Sequence, residues 1–166
     1  MSKKVAIYYP EIFDVIDAYF KEKDVEIVSF DGDLTKIDCE IFDLIIFYDS
    51  FGSTRDYNNV LNVHPALLPS YKCEGAIEKI FSDGVKVGGV TIHSKDKIIA
   101  QYPILIGMET HIDDYLEEVH SILKKLLPFV IESILSDRVF DFNDLFSNPC
   151  QKSGGCSGCG GCHQVL

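Results

Sequence analysis

The chain has 166 residues, 46% of them hydrophobic, which is enough for one globular core and too few for two domains of ordinary size. A formal net charge of −11 repels phosphate backbones, so nucleic acid is excluded as an expected partner. No apolar run is long enough to span a bilayer, and the N-terminus lacks a signal-peptide pattern. We therefore expect a cytoplasmic protein that has no membrane partner.

The first half of the chain predicts strands that alternate with a helix. Apolar runs at 4–9, 25–30 and 43–48 are typical of buried strands, and Pro10 suits the first turn of a helix that continues to about Lys23. The order strand, helix, strand, strand predicts a parallel sheet with right-handed crossovers. The expected fold class is α/β, with three layers.

The second half predicts a short helix at 74–82, then an antiparallel hairpin of 85–93 and 97–106 at the sheet edge. A long amphipathic helix begins near Thr110. This arrangement puts His93 on an edge strand, and it puts His111 and His120 on or near a helix surface. We divide the chain into a domain of residues 1–146 and a Cys/Gly-rich tail of residues 147–166.

A polar motif follows the short predicted strand that ends at His64. Pro65 and Pro69 cannot continue a helix or a ladder, so an ordered loop must follow. Asn62 and His64 alternate along the strand and can face the same side. An amide donor for an oxyanion and an imidazole for proton transfer suit acyl-type transfer to an amine. The alternative is structural, with Asn62 capping a turn and His64 bonded to a loop carbonyl.

The stretch from Asn62 to Lys72 resembles the Asn-x-His-Pro-x-Leu-Leu-Pro-x-Tyr-Lys motif of the folate-dependent formyltransferases, especially the glycinamide ribonucleotide formyltransferases. The resemblance continues without a gap to His93 and resumes at 127–131. It implies a Rossmann-like three-layer sandwich with a mostly parallel sheet. It also implies transfer of a formyl group from 10-formyltetrahydrofolate to a small-molecule amine, as in purine biosynthesis. The negative charge argues against the methionyl-tRNA branch.

The resemblance implies a role for each residue of the site. Asn62 would stabilise the tetrahedral intermediate, His64 would carry a proton, and an aspartate on a later loop would orient His64. That loop is shortened here to 94–97, where Asp96 is the only acid. The family's glycine-rich phosphate turn after the first strand is replaced by Tyr8-Tyr9-Pro10, without glycine. The substrate-binding residues predicted by resemblance are Tyr8, Tyr9, Ser50, Phe51, Gly52 and Pro65.

The tail carries four of the six cysteines. Two overlapping C-x-x-C steps and an upstream cysteine predict a metal site on Cys150, Cys156, Cys159 and Cys162, with an iron–sulfur cluster favoured over zinc and over a flexible redox tail. Two functions therefore stay open. One is an enzyme of one-carbon transfer. The other is a non-catalytic formyltransferase-fold binding or regulatory protein that carries an iron–sulfur cluster or zinc.

Overall fold

A six-stranded sheet in the order β2-β1-β3-β4-β5-β6 forms the centre of the computed structural model, which describes residues 2–30, 38–48, 58–95 and 97–142. The strands from β1 to β4 pair in parallel, and β5 and β6 add an antiparallel hairpin at one edge. The predicted α/β class with a mostly parallel sheet is confirmed. The strands are β1 (Lys3–Tyr8), β2 (Val25–Ser29), β3 (Leu44–Tyr48), β4 (Val60–His64), β5 (Val87–Ser94) and β6 (Lys97–Leu105).

In the described ranges, three helices pack on one face of this sheet. They are α1 (Pro10–Phe20), α2 (Ala76–Ser82) and α3 (Ile112–Leu135). Pro10 occupies the first turn of α1, where its missing N–H costs no helical hydrogen bond. Ile12, Ile16 and Phe20 recur at helical spacing and are buried. That stripe joins the larger of two hydrophobic clusters, to which all three helices contribute.

The strands divide their side chains between the two faces. Ile7, Ile46 and Leu61 belong to the larger cluster under the helices, whereas Ala6 and Ile45 belong to a smaller cluster on the opposite face. A 3-10 turn at Cys39–Ile41 contributes Cys39 to this second cluster. The parallel strands are nearly continuously apolar because both faces are buried.

The hairpin differs from the sequence expectation in one respect. His93 was predicted on an edge strand, but β5 lies between β4 and β6, and β6 is the edge. A bulge between Ile92 and His93 shifts the register, so that His93 pairs with Ile98. In the described part of the chain no helix is long and apolar enough to cross a membrane.

Candidate functional site

Asn62 and His64 are on the same face of β4, as the strand alternation predicted. Their neighbours Leu61 and Val63 point the other way, into the larger cluster. Both polar side chains are buried, with 7% of Asn62 and 1% of His64 exposed. His64 ends the strand, and the loop that begins with Pro65 follows it. The site therefore lies at the carboxyl end of a parallel strand, where α/β sheets place their ligands.

A backbone carbonyl fixes the His64 imidazole. Nε2 of His64 lies 2.8 Å from the carbonyl oxygen of Tyr71. Because a carbonyl oxygen can only accept, Nε2 carries the proton and Nδ1 is the basic nitrogen of the neutral ring. Tyr71 has a φ of +54°, and its hydroxyl donates to Asp83 at 3.2 Å. The hydrogen bond from His64 to a loop carbonyl, which was the structural alternative in the sequence analysis, is thus present. This bond also fixes the tautomer of the imidazole.

The loop that holds Tyr71 is itself held by two polar side chains of the hairpin. The Thr91 hydroxyl donates to the carbonyl oxygen of Ala66 at 2.7 Å and accepts from the Leu68 amide at 3.0 Å. Nε2 of Gln101 donates to the Leu68 carbonyl at 2.8 Å and to the Thr91 hydroxyl at 3.1 Å. Thr91 is fully buried, and it pairs with both His64 and Gln101 across the sheet. Sequence reasoning missed both residues.

Tyr115 of α3 holds the same loop from the helical face. Its buried hydroxyl accepts from the Gly89 amide at 2.7 Å. Its single proton is shared between the carbonyls of Pro65 at 3.1 Å and Gly89 at 3.0 Å. A Cβ on Gly88 would meet this hydroxyl at 2.5 Å, so the close approach of helix and strand requires glycine there. Pro65, predicted to bind substrate, has its carbonyl engaged by this contact.

The strand register aligns four side chains in one row across the sheet. Tyr8 pairs with Phe47, Phe47 with Asn62, and Asn62 with His93. With a strand spacing of about 4.8 Å, Tyr8 is about 10 Å from Asn62 on the same face. The Tyr8 ring contacts Phe30 and Phe47, with centroids 6.2 and 6.3 Å away. Of the two tyrosines predicted to bind substrate, Tyr8 is the one beside this face.

Tyr9 lies on the helical face instead. Its ring is 3% exposed and stacks on Tyr48, with centroids 4.1 Å apart and planes 11° apart. The His120 ring of α3 meets both tyrosines edge-on, at 5.5 and 6.5 Å. Burial, with Tyr48 and Glu11 nearby, raises the pKa of Tyr9 well above its usual range. His120, expected on or near the helix surface, is half-buried, and its pKa is lowered by this burial.

The β5–β6 hairpin closes toward the other end of β4. Thr91 pairs with His64, and Ser94, three residues further on, pairs with Lys97. Three residues of strand span about 10 Å, so the hairpin turns about that far from His64 along the sheet. The predicted site residues outside the described ranges are Asp96, Ser50, Phe51, Gly52, Cys150, Cys156, Cys159 and Cys162. Among the residues that the structure describes, no three His, Cys, Asp or Glu side chains form a group that could hold a metal ion.

Comparison with known proteins supports a formyltransferase relationship. Residues 53–131 match the family model described as Formyl transferase. The chain is 34% identical over 82 residues to phosphoribosylglycinamide formyltransferase of Bacillus subtilis (strain 168), which covers 46% of this chain and 42% of the relative. It is 32% identical over 74 residues to methionyl-tRNA formyltransferase of Thermotoga neapolitana, which covers 45% of this chain and 23% of the relative.

Solved structures agree in fold. Phosphoribosylglycinamide formyltransferase of Anaplasma phagocytophilum superposes with a TM-score of 0.67 at 17% identity, covering 82% of this chain and 88% of that one. A formyltetrahydrofolate deformylase of Pseudomonas syringae gives 0.65 at 14% identity, covering 85% and 67%.

The chain therefore has the α/β fold of the solved formyltransferases, and its strand-end motif lies within the segment that matches the family model. The segment from residue 53 to residue 131 is similar to formyltransferases, and the chain spans less than half the length of the curated relatives that it matches.

Proposed function

We propose that the protein transfers a formyl group from a reduced folate donor, such as 10-formyltetrahydrofolate, to a small-molecule amine. The observation that carries the proposal is the position of Asn62 and His64 on one face at the carboxyl end of β4, with His64 anchored through Nε2. The formyl transferase match across this segment supports the same chemistry.

Each residue has one task in this reaction. The amine nitrogen attacks the formyl carbon, and the Asn62 amide donates to the oxygen that becomes negative in the tetrahedral intermediate. Nδ1 of His64 accepts the proton that the amine loses and returns it to the departing folate nitrogen. The products are a formamide and tetrahydrofolate. The protein positions the two substrates and transfers the proton, and the reaction needs no oxidant or reductant.

Burial sets a condition on this mechanism. With 7% of Asn62 and 1% of His64 exposed, substrates reach the pair only after local opening of the chain around it. The same burial excludes water, which strengthens the hydrogen bond to the developing oxyanion. Asp96 remains the sequence-based proposal for the carboxylate partner of His64. Ser94 and Lys97, which pair at the closed end of the hairpin, lie about 10 Å along the sheet from His64.

For the acceptor we propose a small amine such as glycinamide ribonucleotide, which would place the protein in purine biosynthesis in the cytoplasm. Both phosphoribosylglycinamide and methionyl-tRNA formyltransferases are among the relatives. The formal net charge of −11 favours the small molecule over tRNA, because an acidic surface repels a phosphate backbone. Salt-sensitive retention of tRNA at physiological ionic strength would reverse this choice.

For the tail we propose an iron–sulfur cluster, or zinc as the alternative, on Cys150, Cys156, Cys159 and Cys162. Its support is the spacing of the cysteines. If formyl transfer is absent, the tail leaves the binding or regulatory function as the remaining proposal.

The test is turnover with 10-formyltetrahydrofolate and glycinamide ribonucleotide in the full chain. His64→Ala and Asn62→Ala should each lower turnover about a hundredfold or more. His111→Ala, which removes the exposed histidine at the N-cap of α3, is the matched control and should retain activity. Turnover that survives both site substitutions would refute the assignment.

A further inference from the structure

A small basic cavity opens on the same sheet face as Asn62. Its volume is about 120 Å³, enough for a carboxylate or a phosphate group. The cavity belongs to this face because His93 pairs directly with Asn62, and directly paired residues project to the same side. It is lined by Leu68, Pro69, Lys72, His93, Lys95 and Ile98.

The charge of this cavity is opposite to that of the protein. Lys72 and Lys95 are exposed, and neither forms an ion pair with another residue of the described ranges. By contrast, Lys3 pairs with Asp43 at 2.9 Å and Lys79 with Asp83 at 3.3 Å. In a chain with a formal net charge of −11, two such cations around one cavity favour an anionic ligand.

Hydrogen bonds hold the two walls of the cavity in place. Nδ1 of His93 donates to the carbonyl oxygen of Lys95 at 2.9 Å, which fixes both the ring and the backbone at the end of β5. On the other wall, the Leu68 amide and carbonyl are bonded to Thr91 and Gln101. The two walls that carry the lysines are therefore held by hydrogen bonds within the sheet.

The amino terminus of α1, which follows the carboxyl end of β1, is poorly suited to an anion. The amino terminus of α1 begins with the buried Tyr9 and with Pro10, which has no N–H to donate. Glu11 adds a carboxylate to the same turn. The basic cavity is therefore better suited to bind an anionic group than the amino terminus of α1 is.

We propose that Lys72, His93 and Lys95 form an anion subsite that binds a carboxylate or phosphate group of one of the two substrates of the proposed transfer. The inference rests on that proposed function. Because His93 and Asn62 are paired across the strands, the subsite lies beside the proposed reacting centre. The carboxylates of a folate glutamate tail and the phosphate of the acceptor are the two sources of this chemistry.

The experiment measures binding, so that it does not depend on turnover. The probes are 5-formyltetrahydrofolate with one glutamate, the same compound with three glutamates, and inorganic phosphate, each titrated calorimetrically at low salt. The proteins are the parent chain, Lys72→Gln, Lys95→Gln and, as control, Lys86→Gln, which removes an exposed lysine at the opposite end of β5.

Each subsite variant should weaken binding of the anionic probe about three- to tenfold, and Lys86→Gln should not. Tighter binding of the triglutamate than the monoglutamate assigns the site to the folate tail. Competition by phosphate without a gain from glutamates assigns it to the acceptor. Failure of all probes to bind, or equal affinities across the parent, both variants and the control, would overturn the subsite.

The two proposals fail differently. Probe binding that depends on both lysines, without formyl transfer, keeps the subsite and removes the proposed function. Formyl transfer with unchanged KM for donor and acceptor in both variants keeps the function and removes the subsite.

Discussion

Thr91 on β5 and Gln101 on β6 face one another across the hairpin, and together they hold the loop that follows His64. Their contacts reach the backbone at Ala66 and Leu68, and the Tyr71 carbonyl that fixes the imidazole lies a few residues further along the same loop. The geometry at His64 therefore depends on two polar side chains that belong to other strands.

The first prediction concerns the Thr91 hydroxyl. Thr91→Val keeps the shape of the side chain but removes the donor to Ala66 and the acceptor for Leu68 and Gln101. Leaving buried polar groups without a partner costs about 1–3 kcal/mol of unfolding free energy. Urea denaturation should show this loss.

Thr91→Ser is the matched control, because it keeps the hydroxyl, and it should lose less stability than Thr91→Val. If the proposed function holds, Thr91→Val should also change the pH profile of turnover, since it loosens the loop that fixes His64. Equal stability of the two variants would contradict the assigned contacts.

The second prediction concerns the contact between α3 and the Pro65 loop. Tyr115→Phe removes a hydroxyl that accepts from Gly89 and donates to the Pro65 and Gly89 carbonyls. We expect a loss of about 1–3 kcal/mol in denaturant unfolding. Tyr102→Phe, on the edge strand, is the control and should change stability by less than about 0.5 kcal/mol. A Tyr115→Phe protein as stable as the parent would show that the hydroxyl contributes nothing to the free energy of unfolding.

Much of the fold could be predicted from local pattern. The continuous apolar run at 43–48 and the helical spacing of Ile12, Ile16 and Phe20 identify their elements without tertiary information. The motif likewise predicted that Asn62 and His64 share a face, because strand alternation decides this locally.

Residues that act through strand pairing were not predictable in this way. Thr91 and Gln101 are 10 positions apart in sequence, and their joint role depends on the pairing of β4, β5 and β6 and on the bulge at His93. Tyr115 was not among the residues singled out from the sequence, because its hydroxyl finds its partners outside its own helix. His120 was assigned to the surface for the same reason, since Tyr9 and Tyr48 come from distant parts of the chain.

The third prediction is a pH dependence of stability at His120. Burial lowers its pKa and Lys124 adds to this, whereas Glu11 and Glu117 oppose it. A histidine with a lowered folded pKa binds fewer protons in the folded than in the unfolded state. The stability that neutral, buried His120 contributes is therefore fully present above the unfolded pKa of about 6.5. It is lost as the pH falls through the folded pKa.

His120→Gln removes this titration. The parent should therefore lose more stability than His120→Gln between neutral and mildly acid pH, as measured by thermal unfolding. A constant difference between the parent and His120→Gln across this range would contradict the prediction.

The last prediction concerns the cysteine tail. Glycines between the cysteines of the two C-x-x-C steps allow the backbone to fold closely around a cluster, and thiolates are the ligands that iron–sulfur clusters and zinc share. Anaerobic purification should give a brown protein that contains iron and sulfide, and Cys156→Ser, Cys159→Ser and Cys162→Ser should each lose the colour. Cys73→Ser, outside the tail, is the control and should keep it.

Zinc in place of iron would assign the alternative metal, and a metal-free protein after metal-replete anaerobic purification would refute the site. Formyl transfer that persists in the three tail variants would separate the tail from Asn62 and His64, because the chemistry proposed for those residues requires no metal.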